Sequence, residues 1–285
     1  MNDLKRLLAG PEPVFAPLVF DPISARIAAA AGFAALYLGG GAMGYIKCGT
    51  EANLSLSEMV SAGIEIRTVS NLPLILDAAC GWGDPMHIRR TIAMSEAAGF
   101  AAIEIEDQIL PKRAHHHIGI EHIIPMELMV AKVEEAVAAR RDPDFLIIAR
   151  TNARRSVNLE EALRRAEAFH RAGADILFVT TREPQDLRVL GERLPPPLLF
   201  MTGPGGMAQS PLTKAELCAL GYRLIVDSMT PVLAMHKALK ACYESLFRGE
   251  DDPSLGRAPG EEQKRVHETI GLEAMLAVER RTVER

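Results

Sequence analysis

At 285 residues the chain is long enough for one large domain or two ordinary ones, and its 48% hydrophobic content supports a sizeable core. A formal net charge of −5, with both signs interspersed, gives no electrostatic footprint for nucleic acid. The opening MNDLKRLLAGPEP has no apolar segment of the secretion-signal kind, and no run is long enough to span a bilayer; Cys48, Cys80, Cys218 and Cys242 form no CxxC pair. The expectation is a cytoplasmic protein with reduced thiols and no nucleic-acid or membrane partner.

Taken in chain order, VFAPLVF (14–20) is the first strand candidate, followed by a phrase that recurs. A helix end of small residues, a glycine and a short apolar run make AAAGFAALYL, EAAGFAAIEI, RAGADILFV and LGYRLIVD. Gly32, Gly99, Gly173 and Gly221 each suit the left-handed position just past a helix. Between these lie LPLILD (72–77), FLIIAR (145–150) and PLLFM (197–201), which completes eight short strands. Stretches such as SLSEMVSAGIEIRTV, MELMVAKVEEAVAARR and NLEEALRRAEAFHRA repeat apolar residues every three or four positions and read as helices. Eight alternations, no GxGxxG after the first strand and no linker in the middle predict an α/β fold, a (β/α)8 barrel over residues 1–247. RGEDDPSLGRAPG (248–260) reads as a linker to a final helix over 261–281. Its apolar stripe has nothing obvious in its own barrel to cover, so residues 248–285 are expected to form an oligomerisation segment.

In such a barrel the functional residues stand at strand C-termini. These are Asp21, Tyr37 with Gly39, Gly40 and Gly41, Asp77, Glu106 with Asp107 and Gln108, Arg150 with Thr151, Thr180 and Thr181, Thr202, and Asp227. LILDAACGWG (74–83) carries an apolar run straight into Asp77 and a glycine-rich turn, and AAIEIEDQ (101–108) repeats the arrangement at Glu106. Two acids on successive strands predict a divalent cation site, Mg2+ or alternatively Mn2+, with Asp77 and Glu106 as ligands. Arg150 could grip a substrate carboxylate by a two-point fork, with Tyr37, Thr202 and the Gly39 and Gly40 amides completing the substrate site. The bland readings are a helix cap for a strand-end aspartate, a rim ion pair for Arg150, and a solvated loop for His115, His116 and His117, because adjacent residues rarely aim at one ion. Cys80 lies in the metal turn, but no partner base is identifiable for it.

These same residues resemble the isocitrate lyase/phosphoenolpyruvate mutase superfamily over nearly the whole chain. FDPISARIAAAAGFAALYLGG resembles the family's first unit and substrate loop. LILDAACGWG is similar to its D-A-D-x-G-[FWY]-G metal motif, AIEIEDQ to I-E-D-Q, LPKRAHHHIG to the mobile loop K-[KR]-C-G-H, and DPDFLIIARTNA to P-D-F-x-I-x-A-R-T-[DN]-A. The resemblance, which takes in methylisocitrate lyase-like and oxaloacetate decarboxylase-like members without separating them, implies a (β/α)8 barrel. It also implies a C-terminal helix exchanged between subunits of a homodimer or homotetramer, and C–C or P–C bond chemistry beside an oxyanion held by Mg2+ and backbone amides. It overlays Lys112 and His116 on the mobile loop, which gives His116 a proton-transfer role and Lys112 and Arg150 catalytic ones. Four positions depart: the second metal-motif acid is Ala79, the loop cysteine is Ala114, Thr180 and Thr181 stand near the usual glutamate, and Phe200 stands where an asparagine is expected. The expectation is a Mg2+-dependent lyase or decarboxylase acting on a small 2-oxo or 2-hydroxy di-acid through an enolate-like intermediate. Phosphonomutase or phosphonopyruvate hydrolase chemistry is one alternative. A catalytically degenerate barrel that only binds a carboxylate is the other.

Overall fold

The computed structural model describes residues 3–256 and 258–284. Eight parallel strands, β1 (Val14–Pro17), β2 (Leu36–Leu38), β3 (Leu74–Asp77), β4 (Ala102–Glu106), β5 (Leu146–Thr151), β6 (Ile176–Val179), β7 (Leu198–Met201) and β8 (Tyr222–Asp227), pair in the order β1-β8-β7-β6-β5-β4-β3-β2. A bridge between Leu18 and Tyr37, with the Val19 amide donating to the Tyr37 carbonyl at 2.8 Å, closes the ring. This is the expected (β/α)8 barrel. Gly32, Gly99, Gly173 and Gly221 all have φ between +80° and +98°, so each ends a helix where a side chain would be strained.

Strand alternation separates two cores. Inside the ring, Val14, Ala16, Tyr37, Ile75, Ala102, Leu146, Ile148, Ile176, Phe178, Leu199, Leu224 and Val226 pack together, and Leu4 and Leu8 of the Asp3–Leu8 helix plug its base. Outside, Leu36, Leu74, Ile103, Ile105, Ile147, Leu177, Leu198 and Ile225 meet the helices. The inward register places Asp77, Glu104, Glu106 and Arg150 at the C-terminal mouth.

The last helix differs from expectation. Gly271, at φ +73°, divides it into Pro259–Ile270 and Leu272–Thr282. It also covers part of its own barrel: the first half packs on the Pro22–Ala30 helix, with Arg26 Nη1 donating to the Thr269 carbonyl at 2.8 Å. Val266, Met275 and Val278 nevertheless stay exposed. Among the described residues no helix is long and apolar enough to cross a membrane.

Candidate active site

Asp77 ends β3 with both oxygens engaged by backbone: Oδ2 accepts from the Gly40 amide at 3.0 Å and Oδ1 from the Ala79 amide at 3.0 Å. Gly39 caps the Gly40–Ile46 helix, and a Cβ on Gly40 would lie 3.4 Å from Asp77 Oδ2 and 3.3 Å from Glu51 Cβ, so the loop sits tightly on the acid. Ala79, where the family motif has an acid, holds φ +47°, a left-handed conformation that Asp and Asn tolerate better than Ala.

Strand β4 delivers two acids to the same face. Glu104 Oε2 accepts from the Tyr37 hydroxyl at 3.0 Å and Oε1 from Arg150 Nη1 at 3.0 Å. Glu106 Oε2 accepts from Asn152 Nδ2 at 2.8 Å and lies 3.2 Å from Arg150 Nε, while Oε1 pairs with Lys112 Nζ. Both acids are buried, and their environments drive them apart. Burial and the neighbouring Asp77 push Glu104 up to about 7 against the pull of Arg150. At Glu106 burial opposes ionisation too, but Arg150 and Lys112 outweigh it and hold the carboxyl at about 2. Asp77 is raised, mainly by burial.

Glu51, from the loop after the Gly40–Ile46 helix, completes the acidic wall. It pairs with Lys112 Nζ at 3.0 Å, with His116 Nε2, and with His117 Nε2 at 3.1 Å. His116 and His117 are thus anchored on Glu51, while His115 and most of the loop around them stay exposed. The turn over Ala114–Ile118 points the second and third rings at one carboxylate, and Tyr45 fixes His117 through a 2.9 Å contact at Nδ1. Donor atoms of Glu51, His116 and His117 lie within 4.8 Å of one another, a spacing that could hold a metal ion. Asp77, Glu104, Glu106 and Glu51 face only Lys112, Arg150 and the lid histidines. Burial is the first cause of the raised Asp77 and Glu104 carboxyls, so a cation beside them would favour their ionised forms. One or two such carboxylates suffice for a divalent cation when water fills the remaining positions.

The lid contacts set a pH dependence. At Glu51 burial works against ionisation, but the bond from His116 and the charge of Lys112 hold the carboxyl well below its usual range. Burial lowers His116, yet its bonds to Glu51 and the Arg113 carbonyl raise it overall. A raised histidine contributes stability that is complete below its ordinary value, about 6.5, and is lost as pH rises through the raised one. Amide exchange in residues 111–119 is accordingly expected to be slow in mild acid and to quicken in mild alkali beyond the intrinsic base catalysis. A lid whose protection factors ignore pH would show that His116 does not latch it.

The structure sorts the remaining sequence candidates. Tyr37 is fully buried with its hydroxyl on Glu104, so it lies beneath the chamber rather than in its wall. Arg150 commits Nη1 to Glu104, Nε to Thr180 Oγ1 at 3.0 Å and Nη2 to Asn152 Oδ1 at 3.3 Å, and its guanidinium lies 5.0 Å from the Phe178 ring centre. Thr202 is buried, and its Oγ1 has no hydrogen-bond partner among the described residues. Asp107 points outward to Thr151, the Asn152 amide and Arg165, while Asp21 and Asp227 cap the helices that follow them. Cys80 is buried and its thiol pushed up to about 12, chiefly by burial, which makes it a poor nucleophile. Phe200 packs outward, edge-on to Tyr222, and Met201 is the β7 residue that lines the chamber, so Phe200 does not stand in for the expected asparagine. Glu51, Glu104 and Asn152 were not anticipated from the sequence.

Gly39, Gly41, Glu51, Asp77, His116 and Arg150 surround a chamber of about 140 Å³ at the barrel mouth. The family profile described as phosphoenolpyruvate phosphomutase matches residues 4–247. The 2,3-dimethylmalate lyase of Eubacterium barkeri is 35% identical over 89% of this chain and 87% of its own length. The oxaloacetate decarboxylase of Chromohalobacter salexigens is 38% identical over 88% and 85%. Among solved structures, phosphonopyruvate hydrolase in complex with oxalate and Mg2+ superposes with a TM-score of 0.84 at 27% identity, covering 98% of both chains.

Proposed function

The chain belongs to the phosphoenolpyruvate phosphomutase family, and from that premise we propose that it is a divalent-metal-assisted lyase or decarboxylase acting on a small 2-oxo or 2-hydroxy di-acid. One observation carries the reading: the buried acids Glu104, Glu106 and Glu51 gather with Asp77 at the barrel mouth, where Glu51 and Asp77 line a chamber only large enough for a small acid. Asp77 and Glu106 would hold the ion, with Glu51 beside them. When bound, Mg2+, or Mn2+, supplies Lewis-acid polarisation of the substrate's 2-oxygen. The relatives named for dimethylmalate and oxaloacetate chemistry support C–C cleavage.

The chain's own groups do the rest. Glu104, bonded to Tyr37 and Arg150, holds the guanidinium so that Arg150 forms a fixed cationic floor. Lys112, buried between Glu106 and Glu51, closes the lid over the chamber and excludes water. His116, favoured in its protonated form by Glu51, donates its Nε2 proton to the enolate-like carbanion once the bond has broken. This gives the lid a proton source although Ala114 has none. The test is incubation with Mg2+ and a panel of 2-oxo and 2-hydroxy di-acids, with phosphonopyruvate for the P–C alternative, alongside calorimetry with oxalate. Consumption of a di-acid with loss of a carbon fragment is expected. Oxalate binding without any turnover would favour the non-catalytic carboxylate-binding barrel instead.

The reading includes a homodimer or homotetramer in the cytoplasm, where the four free thiols stay reduced. Val266, Met275 and Val278 on the last two helices, with Tyr243, Leu246 and Phe247 on the Thr230–Arg248 helix, remain exposed in one chain and suit a subunit contact. Removal of residues 261–285 is expected to shift the particle toward monomer and to lower its melting temperature. Sedimentation of the full-length protein as a monomer would refute the assembly.

A further inference from the structure

Apart from the oxygen donors at the strand ends, the lid brings together two imidazoles and a carboxylate, with donor atoms of Glu51, His116 and His117 all within 4.8 Å of one another. Adjacent side chains usually point apart, yet the Ala114–Ile118 turn sets the His116 and His117 rings with centroids 3.9 Å apart. Each ring has its other nitrogen engaged. His116 Nδ1 lies 2.9 Å from the Arg113 carbonyl, which can only accept, so the neutral ring carries its proton there and its lone pair on Nε2. His117 Nδ1 lies 2.9 Å from the Tyr45 hydroxyl, which can accept in the same way. Both Nε2 atoms face Glu51. A partner on the second ring nitrogen is what orients histidines on a metal. The carboxylate, for its part, is incompletely satisfied. Oε1 meets Lys112 and His116, whereas Oε2 is buried without a hydrogen bond, although His117 Nε2 stands 3.1 Å away. Glu51 is only 8% exposed, so bulk water does not make up the deficit. The charge of Lys112 is divided between Glu51 and Glu106.

We infer that Glu51, His116 and His117 form a site for an imidazole-seeking divalent ion of the zinc class, distinct from the Asp77 and Glu106 site, and that this ion clamps the lid shut. The donor set decides the ion. Mg2+ takes oxygen ligands and dehydrates reluctantly, whereas Zn2+ favours histidine nitrogen and accepts two imidazoles, a carboxylate and a water in a tetrahedron. All three residues line the chamber, which leaves a water room in the fourth position. The ion takes the place of the protons between the two Nε2 atoms and Glu51, and Oε2 gains the partner it lacks. Glu51 belongs to the loop after the Gly40–Ile46 helix and the histidines to the lid, so opening the lid would break a metal bond. One consequence, unlike the site itself, rests on the functional reading above: an ion on His116 Nε2 withholds the proton donor, and the clamped form does not turn over.

Calorimetric titration of Zn2+ into Asp77→Asn, with Mg2+ in excess, tests the site with the reaction metal's own ligand removed. One Zn2+ per chain is expected, and hydrogen exchange in residues 111–119 should slow when it binds. In the same background His117→Gln, which deletes a ligand, should weaken Zn2+ binding by about tenfold or more and abolish the slowing. Tyr45→Phe, which keeps all three ligands but frees the His117 ring, should weaken it by about tenfold as well. His115→Gln should leave the affinity unchanged, because that ring turns to His122 at 3.1 Å and not to Glu51. No Zn2+ binding, an affinity that survives His117→Gln, or one that falls equally with His115→Gln overturns the site; the last two give the ion to another place or to a loose histidine tract. Zn2+ bound without slower exchange in the lid overturns the clamp. Unchanged Mg2+ affinity in Asp77→Asn, measured alongside, overturns the reading of the reaction metal instead and leaves the zinc result standing.

Discussion

Asp77→Asn is expected to abolish turnover while leaving the metal-free protein at least as stable as its parent. The two effects have one origin. Burial raises the Asp77 carboxyl, and Glu106 raises it further against the pull of Lys112. An acid whose folded value is raised works against folding once pH passes its ordinary range, so its ionised form is held at neutral pH by the rest of the fold. An amide removes the charge, and its oxygen can still accept from the Gly40 or Ala79 amide. The charge is what a divalent cation requires. Losing a metal contact that is worth several kcal/mol in the transition state corresponds to a rate loss of about a thousandfold or more. Mg2+ should raise the parent's melting temperature through mass action and leave that of Asp77→Asn unmoved. Unchanged Mg2+ affinity in the variant would remove Asp77 from the site.

The barrel was legible because periodicity and punctuation agreed: apolar runs of strand length alternated with helical spacing, and each recurring glycine marked the same turn. Asp77 and Glu106 were legible for the same reason, as strand ends have known positions in this architecture. Glu104 could have been found and was not. In AIEIE the alternation that turns Glu106 inward turns Glu104 inward as well, one layer below, and a second acid on the inner face of a buried strand demands a cation opposite. The alternation in PLLFM likewise turns Met201 inward and Phe200 out. Glu51 had no such signal. It reaches the chamber because the loop after the Gly40–Ile46 helix folds back so closely that a Cβ on Gly44 would lie 2.4 Å from the Thr50 carbonyl carbon. That return is a tertiary contact with no period to betray it. The anchoring of the loop has no sequence signal for the same reason, since His116 and His117 converge only because Glu51 is there to meet them. The break at Gly271 lay inside an apolar stripe, where a single glycine is compatible with a continuous helix and packing on Pro22–Ala30 decides the geometry.

Arg150→Met should be the most damaging substitution in the chain, and its damage should be visible without any ligand. Glu104 and Glu106 are each about 1% exposed as side chains, and Arg150 pairs with both. Breaking a buried ion pair by removing one partner costs about 3–5 kcal/mol, because the charge left behind has neither water nor counterion. Against a total stability of about 5–15 kcal/mol, and at about 2–4 °C per kcal/mol for a chain of roughly this size, the melting temperature should fall by about 10 °C. The fall should depend on pH with a definite sign. Glu104 is already pushed up to about 7 by burial and Asp77, even with Arg150 present. Without the guanidinium its value rises further, and the penalty for ionising it grows as pH climbs above the ordinary carboxyl range. The deficit of the variant should therefore be largest in mild alkali and shrink toward mild acid, where Glu104 takes up a proton. Glu104→Gln combined with Arg150→Met should recover most of the stability and none of the turnover, because Glu106 still loses the partner that orients it beside the metal. A single variant that melts with its parent would show that Arg150 is a rim residue whose only duty is to touch substrate. A pH-dependent deficit that Glu104→Gln relieves would place its first duty inside the protein, where it neutralises the acids that line the chamber.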